Sequence, residues 1–448
     1  MKEKHQINML EGSLADKIFL FALPLALSSI LQQLFNSADL AVVGRFSSSA
    51  AMAAVGSNSS VINLLVSLLT GLSVGANVSA ATLIGQKQKE KLHEAVQTSM
   101  ALALISGLIM MIVCLVVARP ILEMMNAPKD VLNLAILYLR IYALALPFIV
   151  VYDFGASLLR AKGDSRRPLY CLLASGILNV FLNLFFVIIV GMSVDGVATA
   201  TVISNILSAG MVVYFLMHEE DSMHFDPFHP ELRKDMLKQI MQIGIPAGLQ
   251  GMVFSLSNVV IQSGINSFGA DAIAGSTAGQ NFEFMAYYVV NAFGQAAVTF
   301  TSQNYGAKEY DRCKKVYRIS MLYGEFITLG LSMIFWFGRY FFLSFFTTDP
   351  NVVQYACVRM FFISNLELMT GTYEIAGGCL RGMGKSMLPT VITLLGSCAF
   401  RLVYVYTVFA WNHQFQVLMW AYPITWTITG SAMLFSYFKL RKSLFENQ

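Results

Sequence analysis

The sequence predicts an all-α integral membrane protein: twelve transmembrane helices in two six-helix lobes, related by a pseudo-twofold axis along the membrane normal. Of its 448 residues, 56% are hydrophobic and only 12% are charged, whereas soluble domains carry about a quarter charged residues. Apolar runs of membrane-spanning length recur along the chain. Short pieces of the first half also return in the second half, 221 or 222 positions later.

Twelve apolar runs are the predicted membrane spans, because a helix needs about 20 apolar residues to cross the hydrocarbon core. Gly and Pro interrupt several of them, as in FALPLAL around Pro24, and membrane helices use such positions as bends. The predicted limits are 18–44, 53–83, 94–118, 131–156, 168–190, 194–217, 238–264, 272–303, 316–338, 353–377, 387–410 and 416–438.

Lysine and arginine are concentrated on one side of the predicted membrane. With the N-terminus inside, the inner segments hold 23 of the 30 Lys and Arg residues. Positive loops stay in the cytoplasm, so both termini are predicted to be cytoplasmic, and the net charge of +4 needs no nucleic acid to explain it. The predicted division is an N-terminus 1–17, a first lobe 18–217, a linker 218–237, a second lobe 238–438 and a C-terminus 439–448.

An internal repeat connects the two lobes. LLRAKGDSRRP at 158–168 and CLRGMGKSMLP at 379–389 share Leu, Arg, Gly, Ser and Pro at a constant offset of 221 positions. Pro24 in the first span corresponds to Pro246 in the seventh at an offset of 222. Because each half has six spans, both run through the membrane in the same direction, and a central cleft between such halves suits alternating access.

Several segments resemble the multidrug and toxic compound extrusion (MATE) transporters. They are FNSADLAVVGRF after Pro24, LRAKGDSRRP, ILNVFLNLFFV, GVATATVIS, and FGADAIAG followed by FGQAAVTFTSQNYGA. The resemblance extends from about residue 12 to 438. It implies two six-helix lobes in a bacterial cytoplasmic membrane, and export of cationic, amphipathic compounds driven by an inward proton or sodium gradient. No cofactor is expected beyond that gradient. The partners would be organic cations and the lipid bilayer, and the chain would act as a monomer.

Asp39, near the outer end of the first span, is the first candidate for cation coupling. A carboxylate within the bilayer costs about 2.5 to 3.5 kcal/mol on an insertion scale, so its presence needs a reason. The repeat places Ile261 at the equivalent position of the second half. An acid that served only the shared scaffold would be expected twice. The alternative is an interfacial acid close enough to reach water.

The predicted depths of other polar residues in the membrane indicate which of them could contact Asp39. Asn183 and Thr201 are both predicted in the outer half of the first lobe, and Asn179 lies one turn from Asn183 on the same helix face. Together they predict a polar pocket around Asp39. In the family segment that ILNVFLNLFFV resembles, an Asp often occupies the place of Asn183. The amide here leaves more of the coupling to Asp39. Hydrogen bonding that only holds the helices together is the alternative reading of the two asparagines.

Glu283 and Glu367 are the candidate counter-charges for a cationic substrate in the second lobe, since both fall near the middle of their spans. Cation–π contact beside a carboxylate would suit an organic cation. The aromatic and methionine residues that accompany Glu283 are Phe284, Met285, Tyr287 and Tyr288. The alternative is a buried structural pair with Arg359 or another polar neighbour.

Hinge and gate positions follow from the repeat and from proline. Asp153 and Glu374 are repeat equivalents, each seven residues before a shared arginine, Arg160 or Arg381. All four are predicted near the cytoplasmic face as scaffold or inner-gate residues. Pro24 is the predicted bend of the first span, which would change when Asp39 takes up a proton.

Other classes of protein fit less well. A lipid-linked oligosaccharide flippase of the same distant superfamily is the main alternative, but it would be expected to have additional spans and a cationic cavity. No catalytic motif points to an enzyme. The loop GQKQKEKLHE at 85–94 differs from that of a major facilitator carrier. The six cysteines form no CxxC pair, and His218, His224 and His229 lie in the linker, so no metal site is predicted.

Overall fold

The computed structural model describes residues 6–124, 129–219 and 221–446, and within these ranges nearly every residue is helical. No β-strand occurs in them, in agreement with the predicted all-α class. The first half contains α1 (Ala15–Phe46), α2 (Ser49–Gly85), α3 (Lys89–Met124), α4 (Lys129–Ala143), α5 (Leu146–Ala161), α6 (Arg166–Leu184) and α7 (Val194–Met217). The second half contains α8 (Lys234–Asn266), α9 (Ala270–Gly306), α10 (Tyr310–Phe337), α11 (Arg339–Leu343), α12 (Pro350–Phe362), α13 (Thr370–Gly382), α14 (Met387–Thr393), α15 (Phe400–Tyr404) and α16 (Phe415–Glu446).

Short irregular helical segments join some of these helices into longer rods. A π-helical segment extends α6, a 3₁₀ turn at Ser364–Met369 joins α12 to α13, and π-helical segments at Leu394–Ala399 and Val405–Phe409 flank α15. Joined in this way, and with α4 and α5 counted together, the elements follow the order of the twelve predicted spans. Eight described helices are long and apolar enough to cross a membrane individually, and the pair Val131–Ala143 and Leu146–Ala161, bent by 45°, makes a ninth.

The chain packs as two compact units. The first contains Gln6–Asn8 and the described residues of Leu27–Gly248, and the second contains Met9–Ala26 and the described residues from Leu249 onward. Relative to the predicted lobes, 18–217 and 238–438, the two units exchange the first part of α1 for the first part of α8. The early part of α1 packs in the second unit, where the Phe21 and Phe300 ring centroids lie 5.5 Å apart. The early part of α8 packs in the first unit.

The two changes of unit that fall within a helix each occur just after a proline. Pro24 in α1 and Pro246 in α8 each precede the change by two residues. Proline removes one backbone hydrogen bond and allows a helix to bend. The internal repeat is thus visible in the packing, because these positions are 222 residues apart.

Glycines bring α2 and α8 into backbone contact within the first unit. A Cβ atom added at Gly71 would lie 2.1 Å from the Cα atom of Gly248, and one at Gly75 would lie 2.2 Å from the carbonyl oxygen of Ile240. No side chain larger than hydrogen fits at either position. Small residues at four-residue spacing are a common way to pack helices in membranes, where van der Waals contact drives association.

The linker between the halves is more ordered than an ordinary solvated loop. Met223 and Phe225 are buried against the first unit. Thr98 of α3 donates to the carbonyl oxygen of Glu231 (3.3 Å) and accepts from the backbone N–H of Arg233 (3.1 Å). This packing was not predicted, because a polar composition does not reveal the few apolar side chains that fasten a loop.

Candidate functional site

Asp39 of α1 is hydrogen-bonded to α6 through Asn183. The Asn183 amide nitrogen donates to Asp39 Oδ1 (2.5 Å) and to Asn179 Oδ1 (3.1 Å). Asn183 is fully buried and Asn179 is 7% exposed. The structure therefore brings together three of the four residues predicted to couple cations. Asn183 alone donates to the Asp39 carboxylate in a charge-assisted hydrogen bond, and Asn179 orients Asn183 by accepting its second amide bond.

Gly176 has no side chain, and this allows α1 to approach α6 closely near Asp39. A Cβ atom added there would lie 1.8 Å from the Phe35 ring, so the ring occupies the space that any other residue would fill. Asp39 lies one helical turn beyond Phe35, and Asn179 and Asn183 lie one and two turns beyond Gly176. The pair Phe35 and Gly176 therefore sets the register in which the carboxylate meets the amides.

Thr201, the fourth predicted residue, makes its described hydrogen bond elsewhere. Its hydroxyl donates to the carbonyl oxygen of Val197, one turn earlier in α7 (3.0 Å). Such back-bonding satisfies a hydroxyl within a membrane helix. The depth estimate that placed Thr201 near Asp39 carried no information about which way the hydroxyl would turn.

The second unit contains a buried ion pair. Arg359 of α12 donates through Nε to Glu283 Oε2 of α9 (2.9 Å), and Arg359 Nη2 lies 2.8 Å from the same oxygen. Arg359 Nη1 donates to Ser276 Oγ (2.8 Å). Arg359 is 1% exposed and Glu283 is 7% exposed. Glu283 and Arg359 therefore form the buried ion pair that was the alternative to a substrate-binding role for Glu283.

Glu367 has no comparable partner. It lies in the 3₁₀ turn at Ser364–Met369 and is 2% exposed, and its Oε2 atom accepts no hydrogen bond from the described residues. The turn interrupts the rod formed by α12 and α13. A buried carboxyl group at a break in a membrane helix is a strong functional candidate, because both features are costly in lipid.

The aromatic residues near Glu283 separate into two environments. Phe284 stacks on Tyr288 with ring centroids 6.1 Å apart, and the Tyr287 hydroxyl donates to Glu374 Oε1 (3.3 Å). Met285 instead packs against the apolar cluster that contains Phe282. Adjacent positions on a helix face different directions, so the five residues from Glu283 to Tyr288 named as one substrate site do not all line one surface.

Of the four predicted charged gate residues, Asp153, Glu374 and Arg381 make hydrogen bonds to other helices, and Arg160 makes its described bond within its own helix. In the first unit, Asp153 Oδ2 accepts from Thr70 (2.9 Å) and Arg160 donates to Ser157 Oγ (3.0 Å). In the second, Glu374 accepts from Tyr287 as described above, and Arg381 donates to Gln250 Oε1 (2.9 Å). The repeat-equivalent acids therefore have hydroxyl partners in both units, although the partners are not themselves equivalent in the repeat.

Two ionisable residues received no role from the sequence. Glu325 of α10 lies within the run LYGEFIT, and its Oε1 atom lies 2.7 Å from where a Cβ atom at Gly371 would be. Arg401 of α15 lies within the predicted span 387–410 and is fully buried. The sequence signal that marks both residues is a charge inside a predicted span.

An ionic cluster lies on the predicted cytoplasmic side of the first unit. Glu219 pairs with Lys162 and Arg167, and Arg167 also pairs with Asp164. Burial alone raises the pKa of Glu219, but hydrogen bonds and attraction from Lys162 and Arg167 outweigh it, so its pKa is lowered. This cluster attaches the loop after α5 to the end of α7.

Comparisons with known proteins agree with the repeat. The family model MatE matches the chain twice, over residues 24–185 and 246–407. The chain is 28% identical over 396 residues to "Probable multidrug resistance protein YoeA" of Bacillus subtilis, covering 84% of this chain and 82% of that protein. It is 22% identical to "Multidrug export protein MepA" of Staphylococcus haemolyticus, covering 99% and 98%. The crystal structure of MATE in complex with MaL6 has a TM-score of 0.91 at 20% identity and covers 98% of this chain and 99% of that one.

Proposed function

The chain belongs to the MatE family of membrane transporters, and on that premise we propose that it exports cationic, amphipathic compounds in exchange for protons by alternating access. Its relatives from Bacillus subtilis and Staphylococcus haemolyticus are named as multidrug resistance and export proteins, which supports this class of substrate. The corresponding location is a bacterial cytoplasmic membrane, with both termini in the cytoplasm.

The observation that carries the proposal is the contact between Asp39 and Asn183. An acid within an apolar helix is costly, and here it is held by a fully buried amide. The second half has no acid at the position equivalent to Asp39, because that position is the fully buried Ile261. A carboxylate that one half keeps and the other lacks serves something other than the shared scaffold.

The direction of the Asn183 hydrogen bonds favours protons over sodium ions. Asn183 presents an N–H group to Asp39 and spends its other described bond on Asn179. A sodium ion bound to Asp39 needs oxygen atoms turned toward it, whereas Asn183 turns its amide nitrogen toward that carboxylate. A donor pointed at a carboxylate stabilises its charged form and responds directly to protonation.

Protonation would change both the charge and the hydrogen-bond pattern of this pocket. A neutral Asp39 carboxyl carries a proton of its own and attracts the Asn183 N–H less strongly. The contact between α1 and α6 would then weaken, and α1 could bend differently at Pro24. The energy is sufficient, since one charge crossing 100 mV yields about 2.3 kcal/mol, equivalent to roughly a fifty-fold substrate gradient.

Residues of the second unit are proposed to receive the substrate cation. Glu367 is the better candidate carboxylate, because it lacks a protein partner for Oε2 while Glu283 is paired with Arg359. Phe284, Tyr287 and Tyr288 are half-buried aromatic residues on the same helix as Glu283. Aromatic faces attract organic cations, particularly where water is excluded.

Transport by purified protein in liposomes tests this proposal. Efflux of a fluorescent organic cation is measured with the proton and sodium gradients varied independently. We expect transport to follow the proton gradient, and Asp39→Asn to abolish it while leaving the protein folded. Glu123→Gln is the matched control, because Glu123 is an exposed acid of the same unit that pairs only with Arg119 among the described residues. Normal proton-driven transport by Asp39→Asn would refute the role of Asp39.

A further inference from the structure

Helices α10 and α16 each have an exposed face that is basic at one end and apolar further along. The basic ends lie on the predicted cytoplasmic side, where α10 begins and α16 ends. The exposed residues of these faces, which recur at helical spacing, are Lys315, Arg318, Leu322 and Phe326 on α10 and Phe435, Phe438, Lys439 and Lys442 on α16. The four cations among them form the basic surface of the second unit.

Aromatic contacts bring the two basic ends together. Tyr317 of α10 stacks on Tyr437 of α16 with ring centroids 4.3 Å apart, and it meets Phe438 edge-on at 5.8 Å. Arg318 directly follows Tyr317, and Lys439 directly follows Phe438. The cations of both helices therefore belong to one surface.

Neighbouring acids leave the basic surface without compensation. Asp311 pairs with Lys314 (2.9 Å), and Glu325, two turns beyond Arg318, lies against Gly371 of α13. Among the side chains that the structure describes, no carboxylate lies within ion-pair distance of the four cations. Uncompensated positive charge on one surface attracts anionic groups.

The internal repeat shows that this charge is not part of the shared scaffold. Helices α3 and α10 begin 221 residues apart, at Lys89 and Tyr310, and α7 and α16 are offset by the same distance. The first-half equivalents of the four cations are Glu94, Gln97, His218 and Asp221. An orientation signal could lie in either half, so the concentration of charge in the second half needs a reason of its own.

The first unit covers its equivalent surface with the linker. Gln97 is 2% exposed and donates through Nε2 to the carbonyl oxygen of His224 (3.3 Å). Glu94 Oε1 lies 3.8 Å from Arg233 Nε, so a basic group of the linker meets an acid of α3. In the second unit the equivalent surface is exposed and its charge is reversed. Charge complementarity there requires an anionic occupant.

We propose that the basic surface binds the headgroup of an anionic phospholipid in the leaflet on the predicted cytoplasmic side. Lys and Arg bind phosphate groups, and their attraction to an anionic leaflet increases with their number. The apolar parts of the two faces favour a lipid over a soluble anion, because Phe326 is 67% and Phe435 is 68% exposed. These rings and Leu322 would contact the acyl chains.

Lipid binding to the purified full-length protein tests this inference. Native mass spectrometry gives the dissociation constants of dioleoylphosphatidylglycerol and of neutral dioleoylphosphatidylcholine, and the readout is their ratio. We expect the wild type to prefer the anionic lipid by at least about ten-fold. The triple variant Lys315→Gln/Arg318→Gln/Lys439→Gln should bring the ratio close to one, because it removes most of the positive charge from the surface.

A second triple variant is the matched control. Lys91→Gln/Lys234→Gln/Lys238→Gln removes three exposed lysines from the predicted cytoplasmic side of the first unit, and it should keep the wild-type ratio. An equal loss of preference in this control would overturn the inference, because overall positive charge would then explain the binding.

Equal affinities for the two lipids in the wild type would also overturn the inference, as would an unchanged ratio in the folded triple variant of the basic surface. If that variant does not fold, Lys439→Gln/Lys442→Gln decides, and its preference should fall at least about three-fold. Glycerol 1-phosphate that binds as tightly as the anionic lipid would assign the surface to a soluble anion and refute the lipid site. Failure of the proposed export function is distinguishable, since it would leave the lipid ratio unchanged.

Discussion

Asn183 donates one amide hydrogen to Asp39 of a neighbouring helix and the other to Asn179 of its own helix. The Asp39 carboxylate is therefore linked to a residue that is itself oriented by a second amide. A change in the charge of Asp39 therefore alters its hydrogen bond to Asn183 of α6 directly. This contact lies within the first unit.

Asn183→Asp should shift the pH dependence of transport toward alkaline pH. The substitution places a second carboxylate against Asp39, and two close carboxylates share one proton more tightly than a single one holds it. Initial transport rates measured from pH 5 to 9 in liposomes check this shift. Asn183→Ala serves as the comparison, because it removes the hydrogen bond without adding charge. An identical pH profile for Asn183→Asp and the wild type would show that residue 183 does not contact the titrating group.

Gly176→Ala should destabilise the protein by about 1 to 3 kcal/mol, because the new methyl group overlaps the Phe35 ring. Thermal unfolding in detergent measures the change. Phe35→Leu should partly restore stability when combined with Gly176→Ala. Gly210→Ala in α7 is the control, since a Cβ atom there meets nothing within 4 Å. Equal effects at positions 176 and 210 would mean that helix propensity, and not the approach of α1 to α6, governs the change.

Arg359→Gln should cost about 3 to 5 kcal/mol of stability, because it leaves the buried Glu283 carboxylate without its cation. The double variant Glu283→Gln/Arg359→Gln should be more stable than Arg359→Gln alone. Thermal unfolding of the two single variants and the double variant forms a complete cycle. Additive losses would show that the two side chains do not stabilise each other, and Glu283 would again be available as a substrate counter-charge.

Glu219→Gln should lower the free energy of unfolding at neutral pH. As the pH falls, the variant should lose less of that free energy than the wild type does. The folded-state pKa of Glu219 is lowered, so the carboxylate contributes stability above its ordinary value of 4.5. That contribution is lost as the pH falls from there through the lower folded value. Unfolding temperatures recorded between pH 3 and 7 measure the difference between wild type and variant. A constant difference over this whole range would exclude titration of Glu219 as its cause.

Much of this protein could be predicted because its main signals are local. Hydropathy located the spans that α1 and α7 occupy, and a repeat of constant offset revealed the two halves that the family model then matched separately. Helical periodicity placed Asn179 and Asn183 on one face. Asp39 joined them because all three were expected at similar depth.

Other features depended on contacts between residues far apart in the chain. Glu283 and Arg359 pair across 76 positions, and the rotation of each helix about its own axis decides whether such side chains meet. The sequence named Arg359 as a possible partner of Glu283 and gave Arg401 no role. Their different surroundings emerge only when α9, α12, α15 and α16 are packed around Tyr422.

The sequence by itself determined the helical class, the order of the spans, the internal repeat and the acid that distinguishes the first half. These follow from composition and periodicity, which act within a few turns of one helix. The tertiary structure decided that α1 and α8 change units just after their prolines, that Thr201 bonds within its own helix, and that Glu283 pairs with Arg359. Each of these depends on the direction of a side chain or the bend of a rod, and packing against other helices sets both.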